Sequence, residues 1–374
     1  MTKEITISLR NRILKFFYKF LIKPILFKFD PEEVHDHFIK IGKFLGSNKF
    51  TKYITFILFS YSNKKLTQKI LNIEFKNPIG LGAGFDKDAN LTQIISKIGF
   101  GFEEIGSITG EKCLGNEKPR LWRLKKSKSL LVYYGLKNDG AEMIYNRLKG
   151  KKFNIPIFTS IAKTNSQDTV STENGIKDYV KAYEKLKEIG SVSVINISCP
   201  NAFGGQPFHD KKSLNHLIKE IKKIKTKKPI FIKISPDLTK KQVDDIIVLS
   251  LKYKISGIIC SNLTKNRNNK KIIDENIPGV GGISGKVVQE LSDNLVKYIY
   301  KKSKGRLIII GLGGIFTAED AYKKIRNGAS LVQLVTGMIF QGPQTVAEIN
   351  QGLGKLLEKD GFSNISEAIG VDVK

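Results

Sequence analysis

From Ile79 onward, short apolar runs rich in β-branched residues alternate with longer stretches in which apolar residues recur every three or four positions. The first pattern is typical of buried strands and the second of amphipathic helices, so the chain predicts repeated βα units. The strand-like runs begin at Ile79 (IGLG), Phe102 (FEEIGS), Ile155 (IPIFTSIA), Val192 (VSVINIS), Ile230 (IFIKIS), Ile255 (ISGIICS), Leu307 (LIIIG) and Leu331 (LVQLVT). The predicted helices between them span residues 88–98, 176–189, 214–225, 240–251, 287–300 and 318–326. Parallel strands in this number close most simply into a (β/α)8 TIM barrel, because an open doubly wound sheet usually has fewer strands.

The segment before Ile79 is helical in character and ends in LNIEFKNP, which predicts a short hairpin that seals the lower face of the barrel. We therefore predict a small N-terminal helical extension over residues 1–65 and a catalytic α/β barrel over residues 66–374. From about Gly352 the chain finishes a last helix and a tail.

Residues 10–29 read RNRILKFFYKFLIKPILFKF, in which aromatic and aliphatic side chains are interleaved with Lys and Arg. No apolar run in the chain reaches the roughly 18 to 20 residues that a membrane-spanning helix needs. The pattern instead favours an amphipathic helix that lies in a membrane interface. The alternative is a helix that packs on its own barrel.

The formal net charge of +28 suits an anionic lipid surface, a nucleic acid or an acidic small substrate. General surface basicity is the competing explanation, because Lys, Ile and Asn are abundant throughout the chain. The three cysteines, Cys113, Cys199 and Cys260, are widely separated and form no CxxC pair, which argues against disulfides and zinc and for a reducing compartment. The histidines show no metal-ligand spacing, so no metal is predicted.

Barrel enzymes place their active sites at the carboxyl ends of the strands, and unusual residues follow the predicted strands at those positions. In strand order they are residues 83–87, Ser107, residues 162–163, residues 196–201, Lys233, residues 261–262, residues 311–314 and residues 335–337. Glycines in the last two of these loops let backbone N–H groups approach a phosphate, which is where this fold usually binds one.

Lys87, Lys163 and Lys233 lie at strand ends, where burial is costly without an anion, and they indicate a negatively charged ligand or cofactor. The amides of asparagines that follow these strands suit a planar, amide-bearing substrate. Cys199 lies between Ser198 and Pro200, at the middle of the predicted barrel mouth. A thiolate there is a competent base, and nearby lysines would favour the anion.

Several sequences, taken together and in order, resemble the class 2, quinone-reducing dihydroorotate dehydrogenases over residues 30–342. They are DPEEVHDHF, KNPIGLGAGFDKDA, GFGFEEIGSIT, GNEKPRLWRL, NISCPN, KISPDL, GGISG, GLGGI and GASLVQLVTGMIFQGP. The resemblance implies an FMN enzyme that oxidises dihydroorotate to orotate for pyrimidine biosynthesis, removing a C5 proton with a base while hydride leaves C6. It further implies a quinone acceptor that reaches the flavin through a tunnel under the N-terminal helices, and a monomer held peripherally on the cytoplasmic face of the cell membrane.

The resemblance also assigns residues. The implied flavin contacts are Ala83, Gly84, Lys87, Ser107, Ser160, Asn196, Lys233, Ser261, Gly285, Gly314, Val335 and Thr336. The implied substrate contacts are Lys87, Asn196, Asn201 and Asn262, and the catalytic residues are Cys199 and Lys87.

Three positions depart from the family pattern. Class 2 enzymes use serine where this chain has Cys199, as soluble class 1 enzymes do. The family's substrate loop reads Asn-Arg-Met-Gly-Phe, whereas residues 132–136 read VYYGL, and the threonine expected after Asn262 is Leu263. Asn138 is a candidate to replace the lost amide.

Other hypotheses remain open at this point. One is an FMN oxidoreductase of the same fold with another substrate or acceptor, either fumarate-type or similar to the tRNA dihydrouridine synthases. Those synthases carry a helical RNA-binding domain after the barrel, whereas only a few tens of residues follow the eighth strand here, so no nucleic-acid partner is expected. The other is a catalytically inactive, anion-binding barrel at a membrane surface.

Overall fold

The computed structural model describes residues 3–202 and 204–373. Its strands are β1 (Gln68–Ile70), β2 (Ile73–Phe75), β3 (Ile79–Leu81), β4 (Phe102–Ile108), β5 (Leu121–Leu124), β6 (Ser129–Val132), β7 (Ile157–Ile161), β8 (Val192–Asn196), β9 (Ile230–Ile234), β10 (Gly257–Cys260), β11 (Gly282–Ile283), β12 (Ile308–Leu312) and β13 (Leu331–Leu334). Eight of them form a closed parallel barrel in the order β3, β4, β7, β8, β9, β10, β12 and β13. The predicted barrel and each of its eight strands are confirmed.

The helices flank the barrel and build the extension. They are α1 (Lys3–Phe17), α2 (Lys23–Leu26), α3 (Pro31–Leu45), α4 (Lys49–Phe59), α5 (Ile95–Ile98), α6 (Ala141–Leu148), α7 (Thr172–Leu186), α8 (Lys211–Lys223), α9 (Lys240–Lys252), α10 (Gln289–Ser303), α11 (Ala318–Arg326), α12 (Thr336–Gln341) and α13 (Thr345–Asp360). A π-helical turn, Tyr18–Ile22, joins α1 to α2. Short 3-10 turns lie at Lys64–Leu66, Gln167–Thr169, Pro207–His209, Gly285–Val288 and Ile365–Ala368.

Capping residues explain where several helices begin. Thr239 and Gln242 form a reciprocal capping box at the start of α9, and Thr317 and Asp320 form another at the start of α11. The prediction of a helix over residues 88–98 was wrong for most of its length, because only α5 is helical there. The carboxylate of Asp86 accepts hydrogen bonds from the backbone N–H groups of Asn90 (2.8 Å) and Leu91 (2.7 Å), which follow it in the chain, and so stabilises a turn instead of a helix.

Aromatic side chains close the lower end of the barrel. Phe102, Phe158 and Phe231 lie near the amino ends of their strands and are buried in one cluster with Phe75 of the β1–β2 hairpin. The rings of Phe75 and Phe102 meet edge to face at 5.6 Å. A β-carbon at Gly80 would lie within 2.5 Å of the Phe102 ring, so only glycine fits beside it. The predicted hairpin therefore seals the lower face, and the opposite end stays free for a site.

The extension packs across the upper end. Asp30 caps α3 at its amino end, and Glu32 in the first turn of that helix forms a buried, bidentate ion pair with Arg120 at 2.8 and 3.0 Å. Tyr18 donates a hydrogen bond to the carbonyl of Ile339 at 2.6 Å. One face of the amphipathic segment thus packs on the barrel. This is what the second hypothesis for residues 10–29, a helix packed on its own barrel, predicted.

The other face of the extension is apolar and exposed. Most of the exposed large apolar side chains in the described residues lie in α1 to α4 and the turns between them, including Phe16, Phe20, Phe44 and Phe50, each more than half exposed. Within residues 3–202 and 204–373, no helix is long and apolar enough to cross a membrane. The extension therefore has two faces, and the barrel covers only one of them.

Candidate active site

A cavity opens at the carboxyl ends of the barrel strands and holds about 1250 Å³ of empty space, part of it continuous with solvent. Ligand pockets typically span about 300 to 1000 Å³, so a cofactor and a substrate can share this space. The residues proposed for flavin that line it are Ala83, Gly84, Lys87, Ser107, Asn196, Lys233, Ser261, Gly285, Gly314, Val335 and Thr336. Cys199, Asn201 and Asn262 line the same cavity.

Ser160 differs from the rest of that set. It is buried behind the wall of the cavity, and its hydroxyl lies 2.9 Å from the hydroxyl of Ser107, which does line the cavity. Any influence of Ser160 on a bound ring would therefore pass through Ser107. Its assignment as a direct contact stays a prediction.

A chain of hydrogen bonds fixes the polar groups around the strand ends. The amide of Asn196 donates to the hydroxyl of Ser107 at 2.8 Å and accepts from the hydroxyl of Ser198 at 2.6 Å. The amide of Asn262 donates in turn to Ser198 at 3.0 Å. Because each side chain in this network holds the next, the amides that face the cavity are preorganised before any ligand binds.

Lys233 is a buried cation with a protein partner. Its ammonium lies 3.1 Å from the carboxylate of Glu104, and both side chains are almost fully buried among the barrel strands. From the sequence we expected a bound ligand or cofactor to be the anion beside Lys233. The structure shows that the carboxylate of Glu104 is also an anion beside it. The ion pair holds Lys233 at the floor of the cavity, because breaking a buried pair is costly.

Lys87 also lines the cavity and contacts an aromatic ring. Its ammonium lies 4.0 Å from the centroid of Tyr134, and Arg120 stacks on the same ring at 5.4 Å. Burial, together with the charge of the neighbouring cation Lys137, lowers the pKa of Lys87 to about 8. Asp36 opposes both effects.

Cys199 faces the cavity from the loop after β8 and is half-buried. Burial raises the pKa of its thiol to about 11, although Lys163 and Lys265 lower it. The nearby lysines therefore favour the thiolate, as expected from the sequence, but desolvation outweighs their charge and the net pKa of the thiol is raised.

Lys163 does not line the main cavity. It lies beside a smaller cavity of about 250 Å³ that also borders Cys199 and Tyr179, on the inner side of the loop after β8. Its ammonium donates to the hydroxyl of Thr169 at 3.4 Å. Of the three lysines at strand ends, two therefore reach the main cavity and the third lies beside the smaller cavity that Cys199 also borders.

Residues 132–136, which depart from the family's substrate loop and are called the altered loop here, border the cavity through Val132, Tyr134 and Leu136. Leu263 lines it as well. Asn138 does not replace the lost amide. Its side chain is buried and bonds within its own region, donating to the hydroxyl of Thr109 at 2.8 Å and accepting from the N–H of Gly140 at 2.8 Å.

Three site residues were missed by sequence reasoning. Glu104 interrupts an apolar strand run, and that interruption was the available signal. His35 comes from α3 and lies 2.8 Å from the carbonyl of Phe85, through its Nε2 atom. Nothing near His35 in the sequence indicates that it reaches the cavity, whereas Tyr134 lies in residues 132–136, which the family resemblance aligns with a substrate loop.

The fold agrees with comparisons to known proteins. The family model for dihydroorotate dehydrogenase matches residues 65–357. The chain is 41% identical over 350 residues to dihydroorotate dehydrogenase (quinone) of Christiangramia forsetii, covering 91% of this chain and 99% of that protein. It is 37% identical over 378 residues to dihydroorotate dehydrogenase (quinone) of Trichodesmium erythraeum, covering 95% and 98%. Among solved structures, DHODH of Eimeria tenella in complex with ferulenol matches with a TM-score of 0.83 and 29% identity, covering 92% of this chain and 96% of that one.

Proposed function

We infer that this chain, which belongs to the dihydroorotate dehydrogenase family, oxidises (S)-dihydroorotate to orotate in pyrimidine biosynthesis. The observation that carries the inference is the convergence of Lys87, Asn196, Cys199, Asn201 and Asn262 on one cavity at the carboxyl end of the barrel. Cations and fixed amides suit a charged ring with amide groups, and a thiol beside them supplies a proton acceptor.

FMN is the cofactor that we propose, and the cavity fits it. Gly84 has a φ of +100° and open space where a β-carbon would be, so its backbone can lie against a ligand. Gly313 and Gly314, after β12, have φ values of +120° and +73°, in the region that favours glycine. They form the loop in which this fold commonly binds phosphate. When bound, FMN would supply the acceptor for the hydride that leaves C6 of the substrate.

Protein groups hold the charges that this chemistry requires. Lys233, fixed by Glu104 at 3.1 Å, places a cation at the floor of the cavity where negative charge would develop. Asn196 is held by Ser107 and Ser198, so its amide orients a ligand without having to reorganise.

Cys199 is the base in this proposal. Its sulfur would accept the C5 proton, after the thiol has lost its own proton to solvent or to a neighbouring group. The high pKa of the thiol makes the thiolate scarce but a strong base once formed. Lys163, across the smaller cavity, favours the anion by its charge.

A quinone is the proposed second substrate, at the side of the cavity nearest the extension. That side is apolar: Leu121, Leu130 and Ile339 line the cavity, and they belong to a cluster that includes Phe27 of the extension. The two bacterial relatives named above carry quinone in their names. The exposed apolar face of α1 to α4 would lie on the cytoplasmic face of the cell membrane, where a lipid-soluble quinone is found.

Anaerobic mixing with dihydroorotate tests the activity. The purified protein should be yellow, and the flavin absorbance should bleach on mixing. Cys199→Ala should keep the flavin bound but fail to bleach, because the substitution removes only the proton acceptor. A colourless protein would favour the inactive barrel, and a flavoprotein that dihydroorotate does not bleach would favour another substrate.

The membrane role needs a variant that leaves the fold intact, because α1 also bonds the barrel through Lys15 and Glu348 at 3.0 Å. Replacing Phe16, Phe20 and Phe50 together by Gln removes exposed apolar area without touching that contact. We expect weaker binding to vesicles of anionic lipid and slower turnover with a lipid-soluble quinone, with unchanged flavin reduction by dihydroorotate. Equal quinone turnover would count against the proposal.

The matched control places the same change elsewhere on the surface. Val248 is exposed on α9, on the outside of the barrel, and Ile273 is exposed in the loop between β10 and β11. Replacing both by Gln should leave vesicle binding and quinone turnover unchanged. A loss equal to that of the triple variant would mean that apolar surface in general, and not the extension, governs both properties.

A further inference from the structure

A single ion pair lies between the barrel strands, at the floor of the main cavity. Among the residues of the eight barrel strands, Lys233 is the only cation, and Glu103 and Glu104 are the only carboxylates. The ammonium of Lys233 lies 3.1 Å and 3.3 Å from the two carboxylate oxygens of Glu104. Side chains alternate across a strand, so Glu103 points to the opposite face of β4. Glu104 is therefore the one carboxylate of the barrel strands that faces Lys233.

Glu104 also holds the loop that follows β3. Its Oε2 atom accepts a hydrogen bond from the backbone N–H of Ala83 at 3.4 Å. Ala83 and Lys233 both line the main cavity and are both proposed flavin contacts. They come from distant parts of the barrel wall, because three strands separate β3 from β9. One carboxylate thus fixes two groups of the flavin site.

The pair is shielded from water on its lower side. Phe102 and Phe231 lie two residues before Glu104 and Lys233, on the same faces of their strands, and belong to the apolar cluster that closes the lower end of the barrel. The Glu104 side chain is fully buried, and that of Lys233 is 3% exposed. Since little water can screen these charges, their field acts strongly on a ring bound above them.

The two charges have opposite effects on a bound flavin. A cation beside the ring favours the negative charge that a flavin gains on reduction, and an anion opposes it. Lys233 lies nearer to the ring site, because it lines the cavity and Glu104 is buried behind it. The pair therefore favours reduction less than Lys233 alone would, and the flavin stays able to pass electrons to an acceptor.

We propose that Glu104 is a positioning residue of the flavin site, which holds Ala83 and Lys233 in place and lowers the reduction potential of the flavin by offsetting part of the Lys233 charge. The proposal rests on the proposed function, since it takes FMN to be the ligand of this cavity. It assigns a role to a carboxylate that does not itself touch the ligand.

Glu104→Gln is the decisive variant, because its amide oxygen can still accept the hydrogen bond from Ala83 while the negative charge is lost. The reduction potential of the flavin-loaded protein is measured at neutral pH by anaerobic titration against a reference dye. A unit charge on the order of 10 Å away, at an effective dielectric constant of about 20, changes an equilibrium constant on the order of tenfold. We therefore expect flavin reduction to become about tenfold more favourable, which is a rise of about 30 mV for a two-electron couple.

Glu104→Asp separates charge from position, because it keeps the charge and shortens the side chain. Its reduction potential should stay close to that of the unaltered protein. FMN should dissociate faster on dilution, as flavin fluorescence reports, because the shorter carboxylate no longer reaches both Ala83 and Lys233. Glu111→Gln makes the same chemical change as Glu104→Gln on an exposed side chain after β4, and should alter neither property.

An unchanged potential in Glu104→Gln would overturn the proposal, and so would an equal rise in Glu104→Asp, because position and not charge would then set the potential. A lone buried cation can prevent folding, so Lys233→Met is also compared with the double variant Glu104→Gln, Lys233→Met. The double variant should be the easier of the two to reduce, and equal potentials would likewise overturn the proposal. An unaltered protein that holds no flavin would instead refute the proposed function.

Discussion

The ionisation of Cys199 should control how flavin reduction depends on pH. Burial raises the pKa of the thiol from its usual value of 9.0 to about 11. An acid with that pKa is ionised to about one part in a thousand at pH 8. Since the thiolate is the form that accepts the proton, and the thiol loses its proton as pH rises, reduction should become faster with increasing pH.

The expected magnitude follows from the size of the shift. With saturating dihydroorotate, the rate constant for flavin reduction should rise about tenfold per pH unit between about pH 7 and pH 10 and level off near pH 11. Stopped-flow absorbance under anaerobic conditions measures this rate constant directly. Flavin content and far-UV circular dichroism at each pH establish that the protein remains loaded and folded.

Substrate binding should change in the opposite direction. Burial lowers the pKa of Lys87 to about 8, so this ammonium loses its proton above that pH and no longer attracts a carboxylate. The Kd of dihydroorotate, obtained from the concentration dependence of the same traces, should therefore rise above about pH 8. The ratio kcat/KM should then level off above about pH 8, although the rate constant at saturation keeps rising to about pH 11.

Two variants separate the thiol from other groups. Cys199→Ser should reduce flavin more slowly and still show no plateau at about pH 11, where the unaltered protein levels off, because a hydroxyl ionises less readily than a thiol. Cys260→Ala, which removes a thiol buried in the hydrophobic core, should keep the profile of the unaltered protein. A rate constant that is independent of pH up to about pH 9 would refute the reasoning, since a base of lower pKa would then act.

Three further substitutions test the surrounding electrostatics. Lys163→Met should move the plateau of the Cys199 profile to higher pH and slow reduction at pH 8 by about threefold to tenfold, because it removes a cation that favours the thiolate; an unchanged profile would contradict this. Glu103→Leu should raise the free energy of unfolding at pH 8 by about 1 to 3 kcal/mol, measured by urea denaturation, because burial and the neighbouring carboxylate of Asp86 raise the pKa of this carboxyl well above normal. The folded protein keeps that proton while the unfolded chain releases it, so the gain should grow as pH rises above about 4.5 and shrink below it. Glu32→Gln should lower stability by about 3 to 5 kcal/mol, because it leaves the buried Arg120 without its anion. Burial opposes ionisation of Glu32, but Arg120 outweighs it and the net pKa is lowered, so this contribution is present above about pH 4.5 and is lost as pH falls.

The barrel could be predicted from the sequence because its signals are local. Each strand is a short apolar run, such as residues 230–234, and each following helix repeats with its own period, so neither prediction depends on distant residues. The error at residues 88–94 has a local cause as well. The carboxylate of Asp86 bonds backbone N–H groups that a helix would have used otherwise, and apolar spacing does not report such a bond.

Most of the candidate site could also be predicted, for a topological reason. Parallel strands in a closed barrel all end at the same rim, so residues as far apart as Lys87 and Thr336 were expected near one cavity before any distance was known. Strand order alone was sufficient for that conclusion. It could not tell which side chains face inward, as Ser160 illustrates.

What the sequence determined by itself was thus the eight-fold alternation of strand and helix and the set of residues at the strand ends, since both follow from short-range periodicity. What only the tertiary structure decided was the state of those residues: the raised pKa of Cys199, the ion pair of Lys233 with Glu104, and the ring of Tyr134 on Lys87. These properties depend on burial and on partners from other strands and from the extension. Neither is encoded in the spacing of residues along the chain, because desolvation and Coulomb interactions act between groups that only folding brings together.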